Sequence, residues 1–189
     1  MKFPALYKSA LCTLFVLLGL NALAAEMVNM SGSFDNWRQL GNANWRIENG
    51  EFVADMGSGH LVTKEDYEDF HLMAEFWVNE GANSGIFVRA SNPEAIADTS
   101  AYEVNIFDNR PDQSGRTGGV VNFAPPAEKI NTPDKWNSYD ITVQGDHIVV
   151  ILNGVKTVDF HDSTYKKGPI TLQYGAGVVK FRNVHIQRL

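Results

Sequence analysis

The chain has 189 residues, of which 44% are hydrophobic and 20% are charged, which is typical of a globular protein. Its formal net charge is −6 at pH 7. A negative chain is a poor partner for nucleic acid or an anionic membrane surface, so a neutral or polar small molecule fits better.

The first 25 residues predict a secretory signal peptide. Lys2 and Lys8 form a basic start, residues 11–20 form an apolar run, and residues 22–25 are mostly alanine. The apolar run is shorter than the ~20 residues that a membrane-spanning helix needs. Its removal leaves 164 residues with a net charge of −8 and without the single cysteine. We therefore predict one exported domain over residues 26–189, located in a bacterial periplasm or outside the cell.

Two Asn-Gly dipeptides predict tight β-hairpins further along the chain. Residues 27–44 come first and indicate an edge segment or loop. Asn49-Gly50 then divides a strand-like stretch at 45–54, and Asn153-Gly154 divides another at 147–160. Asn and Gly readily adopt the positive φ angles of a two-residue hairpin turn. Between the hairpins, the charged residues 64–69 predict a single helical turn.

Residues 70–78 alternate as a β-strand does. Apolar side chains occupy every second position and predict the core face, whereas the intervening positions carry mixed chemistry. The core-face residues are Phe70, Leu72, Ala74, Phe76 and Val78. The opposite face carries His71, Met73, Glu75 and Trp77.

Two further strand-like stretches, 83–89 and 102–108, show the same mixture. Ile86 and Val88 share one face of the first, and Phe87 and Arg89 share the other. In the second, Tyr102, Val104 and Ile106 form the apolar face, and Glu103, Asn105 and Phe107 point away from it. Charged, amide and aromatic groups on the non-core faces indicate a binding surface.

Residues 109–135 contain four prolines and three glycines. A loop of this length in a compact domain is usually functional or mobile, and residues 120–123 predict a short strand within it. Three more strand patterns follow, at 136–143, 169–174 and 178–186. Many short strands without a long helical pattern predict an all-β sandwich or barrel.

The ordered motifs resemble the 3-keto-disaccharide hydrolase domain family, long catalogued as a domain of unknown function. They extend over nearly the whole predicted domain. The motifs are Trp45-Arg46-Ile47-Glu48-Asn49-Gly50, Gly59-His60-Leu61-Val62-Thr63, Asn83-Ser84-Gly85-Ile86-Phe87-Val88-Arg89, Tyr102-Glu103-Val104-Asn105-Ile106-Phe107-Asp108, Thr117-Gly118, Trp136-Asn137-Ser138-Tyr139, Leu152-Asn153-Gly154-Val155 and Phe181-Arg182-Asn183-Val184. The resemblance implies a concanavalin A-like jelly roll with a carbohydrate site on the concave face. It also implies cleavage of 3-keto-glycosides, by hydrolysis or by elimination followed by hydration.

Three features depart from related patterns. The segment around Gly119 is short, and Gln173-Tyr174-Gly175 only approximates the family's Gln and His-Gly near the end of the domain. The Glu-x-Asp-x-x-Glu signature of laminarinase-like jelly-roll hydrolases is absent. Direct glycoside hydrolysis by an acid and a nucleophile is therefore disfavoured.

Cleavage of a 3-keto sugar requires a base, an electrophile at the keto oxygen and a proton donor to the leaving oxygen, because the ketone acidifies the C2 hydrogen. We predict Glu103 as the base or acid. Arg89 would orient hydroxyl groups or stabilise enolate charge. Glu75 and His60 are candidates for the second proton transfer.

Stacking and amide groups complete the predicted site. Trp77, Phe87 and Phe107 could stack on a sugar ring, and side-chain amides could bind its hydroxyl groups. The amide candidates are Asn83, Asn105, Asn122 and Gln173. A divalent metal could bind if His60, Glu75 and Glu103 converged, but their spacing is not that of a ligand set, so no metal ligand or cofactor is assigned.

Each assignment has a structural alternative. Arg89 and Glu103 could form a cross-strand ion pair, Glu75 could be a solvent-exposed strand residue, and His60 could simply be hydrogen-bonded. The three stacking aromatics could cap a core, as we expect for Trp45 and Trp136. For the whole chain, the alternatives are a non-catalytic carbohydrate-binding module and a structural envelope protein whose groove binds another chain.

Overall fold

The computed structural model describes residues 25–189, so the predicted signal peptide lies outside the described residues except for Ala25. Residues 25–189 contain one 3₁₀ helix, Gln113–Gly115, and thirteen strands. The strands are β1 (Val28–Asn29), β2 (Trp37–Gly41), β3 (Arg46–Glu48), β4 (Glu51–Ala54), β5 (Gly59–Thr63), β6 (Phe70–Val78), β7 (Asn83–Val88), β8 (Tyr102–Ile106), β9 (Trp136–Gln144), β10 (His147–Leu152), β11 (Val155–His161), β12 (Thr171–Ala176) and β13 (Val179–Arg188). No helix among these residues is long and apolar enough to span a membrane.

The strands form two antiparallel sheets. The larger has eight strands in the order β11-β10-β9-β6-β13-β4-β3, with β1 also paired to β13. The smaller has five strands in the order β2-β5-β12-β7-β8. Because β12 pairs with both β5 and β7, the five-stranded sheet brings the motifs at 59–63, 83–89 and 102–108 onto one sheet beside residues 171–176.

The core lies between the sheets and follows the predicted alternation. Phe70, Phe76 and the apolar residues between them are fully or almost fully buried on the inner face of β6, and Tyr102, Val104 and Ile106 are buried on the inner face of β8. Two sheets with one apolar face each must bury those faces against one another. The predicted all-β, concanavalin A-like jelly-roll sandwich is confirmed.

Both predicted hairpins are present. Asn49 and Gly50 have φ angles of 52° and 83°, and Asn153 and Gly154 have 52° and 79°. Positive φ at both central positions is the geometry of a turn whose twist matches the flanking strands. These turns join β3 to β4 and β10 to β11.

Three local predictions are wrong. Residues 64–69 form bends and a single bridge from Tyr67 to Gly168 instead of a helical turn, because Thr63 Oγ1 donates to the Glu65 carbonyl and accepts from the Ile170 amide. Residues 120–123 make isolated bridges at Val120 and then a turn, and do not form a strand. Trp136 is not a core residue, because alternation along β9 points Asn137 inward.

Trp136 lies instead on the outer face of the eight-stranded sheet. There the guanidinium of Arg182 covers its ring at 3.8 Å from the centroid. Such cation–π contacts stabilise a partly exposed aromatic ring on a solvent-facing surface.

Arg89 ties the end of β7 to the eight-stranded sheet. Its side chain is 1% exposed and leaves the strand with a φ of 53°. Nε donates to the Glu68 carbonyl at 2.7 Å, and Nη1 donates to the carbonyls of Gly145 at 2.7 Å and Tyr165 at 3.2 Å. Nη2 binds Asp69 Oδ1 at 3.0 Å. One buried cation therefore fixes three chain segments around the end of β7.

We expect Arg89→Met to lower the free energy of unfolding by about 3 kcal/mol, because it leaves buried carbonyls and Asp69 without their partner. Urea denaturation measures the change. Arg46→Met is the matched control, since the Arg46 guanidinium also binds carboxylates, those of Glu48 and Asp55, but at the surface. Its loss should cost less than about 1 kcal/mol. Equal losses in the two variants would contradict an anchoring function for Arg89.

Candidate functional site

The outer face of the five-stranded sheet, here called the site face, carries two rows of side chains across all five strands. Pairing registers align the residues of each row on neighbouring strands. The first row is Arg38, Val62, Thr171, Phe87 and Glu103. The second row is Leu40, His60, Gln173, Gly85 and Asn105. Five residues predicted from the sequence, His60, Phe87, Glu103, Asn105 and Gln173, therefore lie on one surface.

Gly85 leaves a gap in the second row, between Gln173 and Asn105. A Cβ atom added at Gly85 would lie 3.2 Å from Glu103 Oε1 and 3.3 Å from its Cγ. The Glu103 side chain thus leaves the first row and extends over β7 at Gly85, in the second row. A side chain at this position would therefore crowd the carboxyl group and force it to shift.

Glu103 is a buried carboxyl group without a compensating cation in contact. It is 6% exposed, and neither carboxylate oxygen has a hydrogen bond or an ion pair within residues 25–189. Burial, and then the negative charge of Asp98, raises its pKa to about 7, while Arg110 acts weakly in the opposite direction. A carboxyl group that titrates near neutrality can accept or donate a proton at working pH.

His60 lies on β5 in the second row and packs edge-on against Phe87, with 5.2 Å between ring centroids. Its Nδ1 lies 3.0 Å from Thr171 Oγ1. Burial lowers the pKa of His60 to about 4, so the ring is neutral at pH 7. If the threonine hydroxyl donates to Nδ1, Nε2 carries the proton and can donate to a ligand.

Two amides complete the second row. Gln173 Oε1 and Asn105 Oδ1 are buried and have no hydrogen-bond partner in the described part of the chain. The Asn105 amide nitrogen donates to the Gly115 carbonyl, which orients that side chain. Buried acceptors without a donor are uncommon in native proteins, and one explanation is a ligand that supplies hydroxyl groups.

Two loops border the site face. The loop after β7 crosses the sheet toward β2, where Arg38 donates to the Pro93 carbonyl at 2.6 Å and pairs with Glu94. The loop after β8 contributes Asn122, whose amide donates to Asp98 Oδ2 at 3.1 Å. The two loops are therefore joined beside Glu103.

Two predicted residues lie on the other sheet. Glu75 and Trp77 occupy the outer face of the eight-stranded sheet, where Glu75 binds Arg182 and Asn183. They lie on the opposite side of the sandwich from Glu103, so one sugar cannot contact both groups. Within residues 25–189 no group of three His, Cys, Asp or Glu side chains could hold a metal ion, and Glu75 does not converge with His60 and Glu103.

Arg89 also lies apart from Glu103, because its positive φ turns the chain out of β7 and its side chain contacts Asp69 instead. Neither the predicted guanidinium–enolate contact nor the alternative cross-strand ion pair fits that position. Asn83 begins β7 on the site face, and Phe107 follows β8 as a half-buried residue.

Sequence reasoning did not identify Thr171, Gly85 and Asp98. Alternation from Gln173 would have placed Thr171 on the same face, so a signal existed for that residue. Gly85 and Asp98 act through strand register and loop contact, which a single sequence does not show.

A family model described as a 3-keto-alpha-glucoside-1,2-lyase-like domain matches residues 24–187. No curated protein sequence matches the chain. Among solved structures, two proteins from Parabacteroides distasonis that are provisionally assigned as glycosyl hydrolases are similar. One has a TM-score of 0.72 at 20% identity, with 82% of this chain and 88% of that chain covered. The other has a TM-score of 0.68 at 24% identity, with 81% and 99% covered.

The carbohydrate-binding module CBM66 from Bacillus subtilis is also similar. Its TM-score is 0.62 at 16% identity, and the alignment covers 80% of this chain and 95% of the module. At this identity the likeness establishes the fold, a jelly-roll sandwich shared by enzymes and binding modules.

We expect Glu103→Gln to be more stable than the wild type at alkaline pH, and to have a smaller advantage at acidic pH. Folding raises the Glu103 pKa from its ordinary value of 4.5 to about 7. The protonated side chain therefore contributes fully to the free energy of unfolding below pH 4.5, and this contribution is lost as the pH rises through 7. Glutamine cannot ionise, so the variant should gain about 2–3 kcal/mol over the wild type between about pH 4 and pH 8.

Urea denaturation of both proteins at the two pH values measures this difference. Glu128→Gln, at an exposed position, controls for the loss of one negative charge. A stability difference that does not change with pH would show that the Glu103 pKa is not raised.

Proposed function

The chain belongs to the 3-keto-alpha-glucoside-1,2-lyase-like domain family, and we propose that it is an exported enzyme that cleaves 3-keto-glycosides after removing the C2 proton. The substrate would be a small keto-glycoside, such as a keto-disaccharide. The single observation that carries the proposal is a buried carboxyl group, Glu103, with a pKa of about 7 beside unpaired amide acceptors.

The ketone determines what the site must do. A carbonyl at C3 makes the hydrogen on C2 acidic, so a carboxylate can remove it if the negative charge that develops on the keto oxygen is stabilised. A base whose pKa lies near the working pH is the most effective, because it is deprotonated in a large fraction of molecules and still basic. Glu103 has that property.

Neutral donors near Glu103 would stabilise the enolate. His60 Nε2 and the amide nitrogen of Gln173 belong to the second row of the site face, next to the gap at Gly85. Donors aimed at the position where charge develops lower the barrier without reorganising. In this proposal the keto oxygen lies toward His60 and Gln173, and C2 lies over the Glu103 carboxylate.

Glu103 would act first as a base and then as an acid. Its carboxylate takes the C2 proton, and the C2–H electron pair forms the enolate. When the enolate carbonyl re-forms, C1–C2 becomes a double bond and the C1–O bond breaks, and Glu103 returns its proton to the departing oxygen. Addition of water across the double bond then completes hydrolysis. Elimination alone makes the enzyme a lyase.

Export is part of the proposal. It is supported by the basic start, apolar run and small residues of the first 25 positions. The proposed domain, residues 26–189, agrees with the matched region at 24–187 to within two residues. A bacterial periplasm or the cell exterior would then be its location.

A non-catalytic carbohydrate-binding module is the second candidate. This candidate is favoured by the low pKa of His60, about 4, which keeps the ring neutral at pH 7. Glu103 therefore has no charged acid beside it to assist a reaction. The amides, His60 and Phe87 would then bind a sugar without reacting with it. The fold of CBM66 supports the same alternative.

We expect Glu103→Gln to lower kcat/KM for a 3-keto-glycoside by about 10²–10⁴-fold, with ligand binding retained, because glutamine cannot accept the C2 proton. Wild-type kcat/KM should rise with pH through about 7, the Glu103 pKa. Sugar release from 3-keto-glycosides and their unoxidised parents measures both effects. Only the keto forms should be cleaved.

Glu75→Gln is the matched control, since Glu75 is a strand carboxylate on the opposite sheet. Its effect on turnover should be about twofold or less. Cleavage of neither form, together with measurable sugar binding, would refute the enzyme proposal and favour the binding module.

A further inference from the structure

A cavity lies outside the site face, at the end of the sandwich where β6 turns into β7 and β8 runs into its long loop. Its volume is about 550 Å³. Asp108, in its wall, follows Glu103 by five residues and lies beyond the end of β8 at Ile106. The wall includes Glu80, Asp108, Arg116, Lys129, Asn131 and Asp134. None of the site-face residues belongs to it.

Arg116 is the unusual member of this wall. Its guanidinium is 3% exposed, and only Nη2 has neighbours in bonding range, Asp108 Oδ2 and Asn131 Oδ1, both at 3.5 Å. Nε and Nη1 are buried and have no acceptor within residues 25–189. A desolvated guanidinium normally has its donors paired, because leaving them unpaired is unfavourable.

Asp108 cannot fully compensate Arg116, because Thr132 holds it. The Thr132 backbone amide donates to Asp108 Oδ2 at 2.8 Å, and the Thr132 hydroxyl donates to Oδ1 at 2.8 Å. Both carboxylate oxygens are therefore fixed, and the Arg116 contact stays long. The cavity wall is preorganised with donor capacity to spare on Arg116.

The charges of the wall decide what kind of ligand fits. Two cations, Arg116 and Lys129, face three carboxylates, Glu80, Asp108 and Asp134, so the net charge is negative and an anion is disfavoured. The two cations in turn disfavour a metal ion. Hydroxyl groups both donate and accept, so they can pair with carboxylates, amides and a guanidinium at once.

We propose that this cavity is a second binding site, separate from Glu103, for a neutral sugar unit. Arg116 donates to ring or hydroxyl oxygens through nitrogens that the protein leaves unpaired. Asp108 and Asn131 accept from, or orient, neighbouring hydroxyl groups. The volume exceeds that of one hexose ring and lies within the range of small-molecule sites. The inference stands independently of the chemistry proposed for Glu103.

Amide chemical shifts of the ¹⁵N-labelled protein test the proposal. Methyl glucoside is the probe, because it has no ketone and cannot react, and glucuronate is its charged counterpart. We expect saturable shifts at Gln113, Asn131 and their neighbours, with weaker binding of glucuronate. The amides of Gly85 and Gln173 report separately on the site face. If the protein proved unable to cleave keto-glycosides, the shifts at the cavity amides would still test the second binding site.

Arg116→Lys should weaken methyl glucoside binding at the cavity by about tenfold, because lysine cannot replace the planar donor set. Lys129→Ala should weaken methyl glucoside binding by a smaller factor. Because Lys129 is exposed, this variant should fold even if Arg116→Lys does not, so the proposal can still be tested. Arg182→Lys, on the outer face of the eight-stranded sheet and outside the cavity wall, is the matched control and should leave binding unchanged. Absence of saturable cavity shifts, tighter binding of glucuronate, or unchanged affinity in both cavity variants would each overturn the proposal.

Discussion

The buried guanidinium of Arg89 fixes the strand that carries the candidate site. Three backbone carbonyls and the Asp69 carboxylate surround it, and those groups come from the entry to β6, the β9–β10 turn and the segment before β12. Because one rigid, planar cation holds all three segments, the end of β7 cannot shift without breaking bonds in the interior. Gly85 and Phe87 lie only a few residues upstream. The alignment of the two rows across the site face thus depends on a side chain that does not belong to either row.

The same surface shows how stability and chemistry oppose each other. Gly85 removes one side chain from the second row, and the Glu103 carboxyl group occupies the space without gaining a partner. Desolvation raises the Glu103 pKa to about 7, so above that pH the folded state carries a buried, unpaired charge. The energetic cost and the useful pKa have one cause. A salt bridge at Glu103 would stabilise the fold and would lower the pKa away from the range that proton transfer needs.

Much of the fold could be predicted from the sequence because period-two alternation and turn chemistry are local. Alternation placed Val104 inward and Glu103 outward, and both Asn-Gly turns formed hairpins. Alternation does not say which of two sheets a strand joins. Glu75 and Glu103 are both outward-facing strand residues, yet they lie on opposite sides of the sandwich. Arg89 was misplaced for a different reason, since no local turn signal in the sequence indicates its positive φ or its interior partners.

The loop after β8 could not be read from its composition, although it connects the two proposed binding sites. Its backbone pairs with β8. The backbone N–H of Asn105 donates to the Gly119 carbonyl, and the backbone N–H of Gly118 donates to the Asn105 backbone carbonyl. Tyr139 from the eight-stranded sheet reaches through the core, donates to the Asn105 carbonyl at 2.6 Å and accepts from the Gly118 amide.

These bonds give the proline- and glycine-rich loop fixed positions on both sides of β8. Arg116 then faces the cavity at the end of the sandwich, and Asn122 lies beside Glu103 through its bond to Asp98. A loop held in this way presents two unlike surfaces, one beside the proposed proton-transfer group Glu103 and one rich in hydrogen-bonding groups. The loop is long because it contributes residues to both sites. An unstructured connection of the same length would not hold those residues in place.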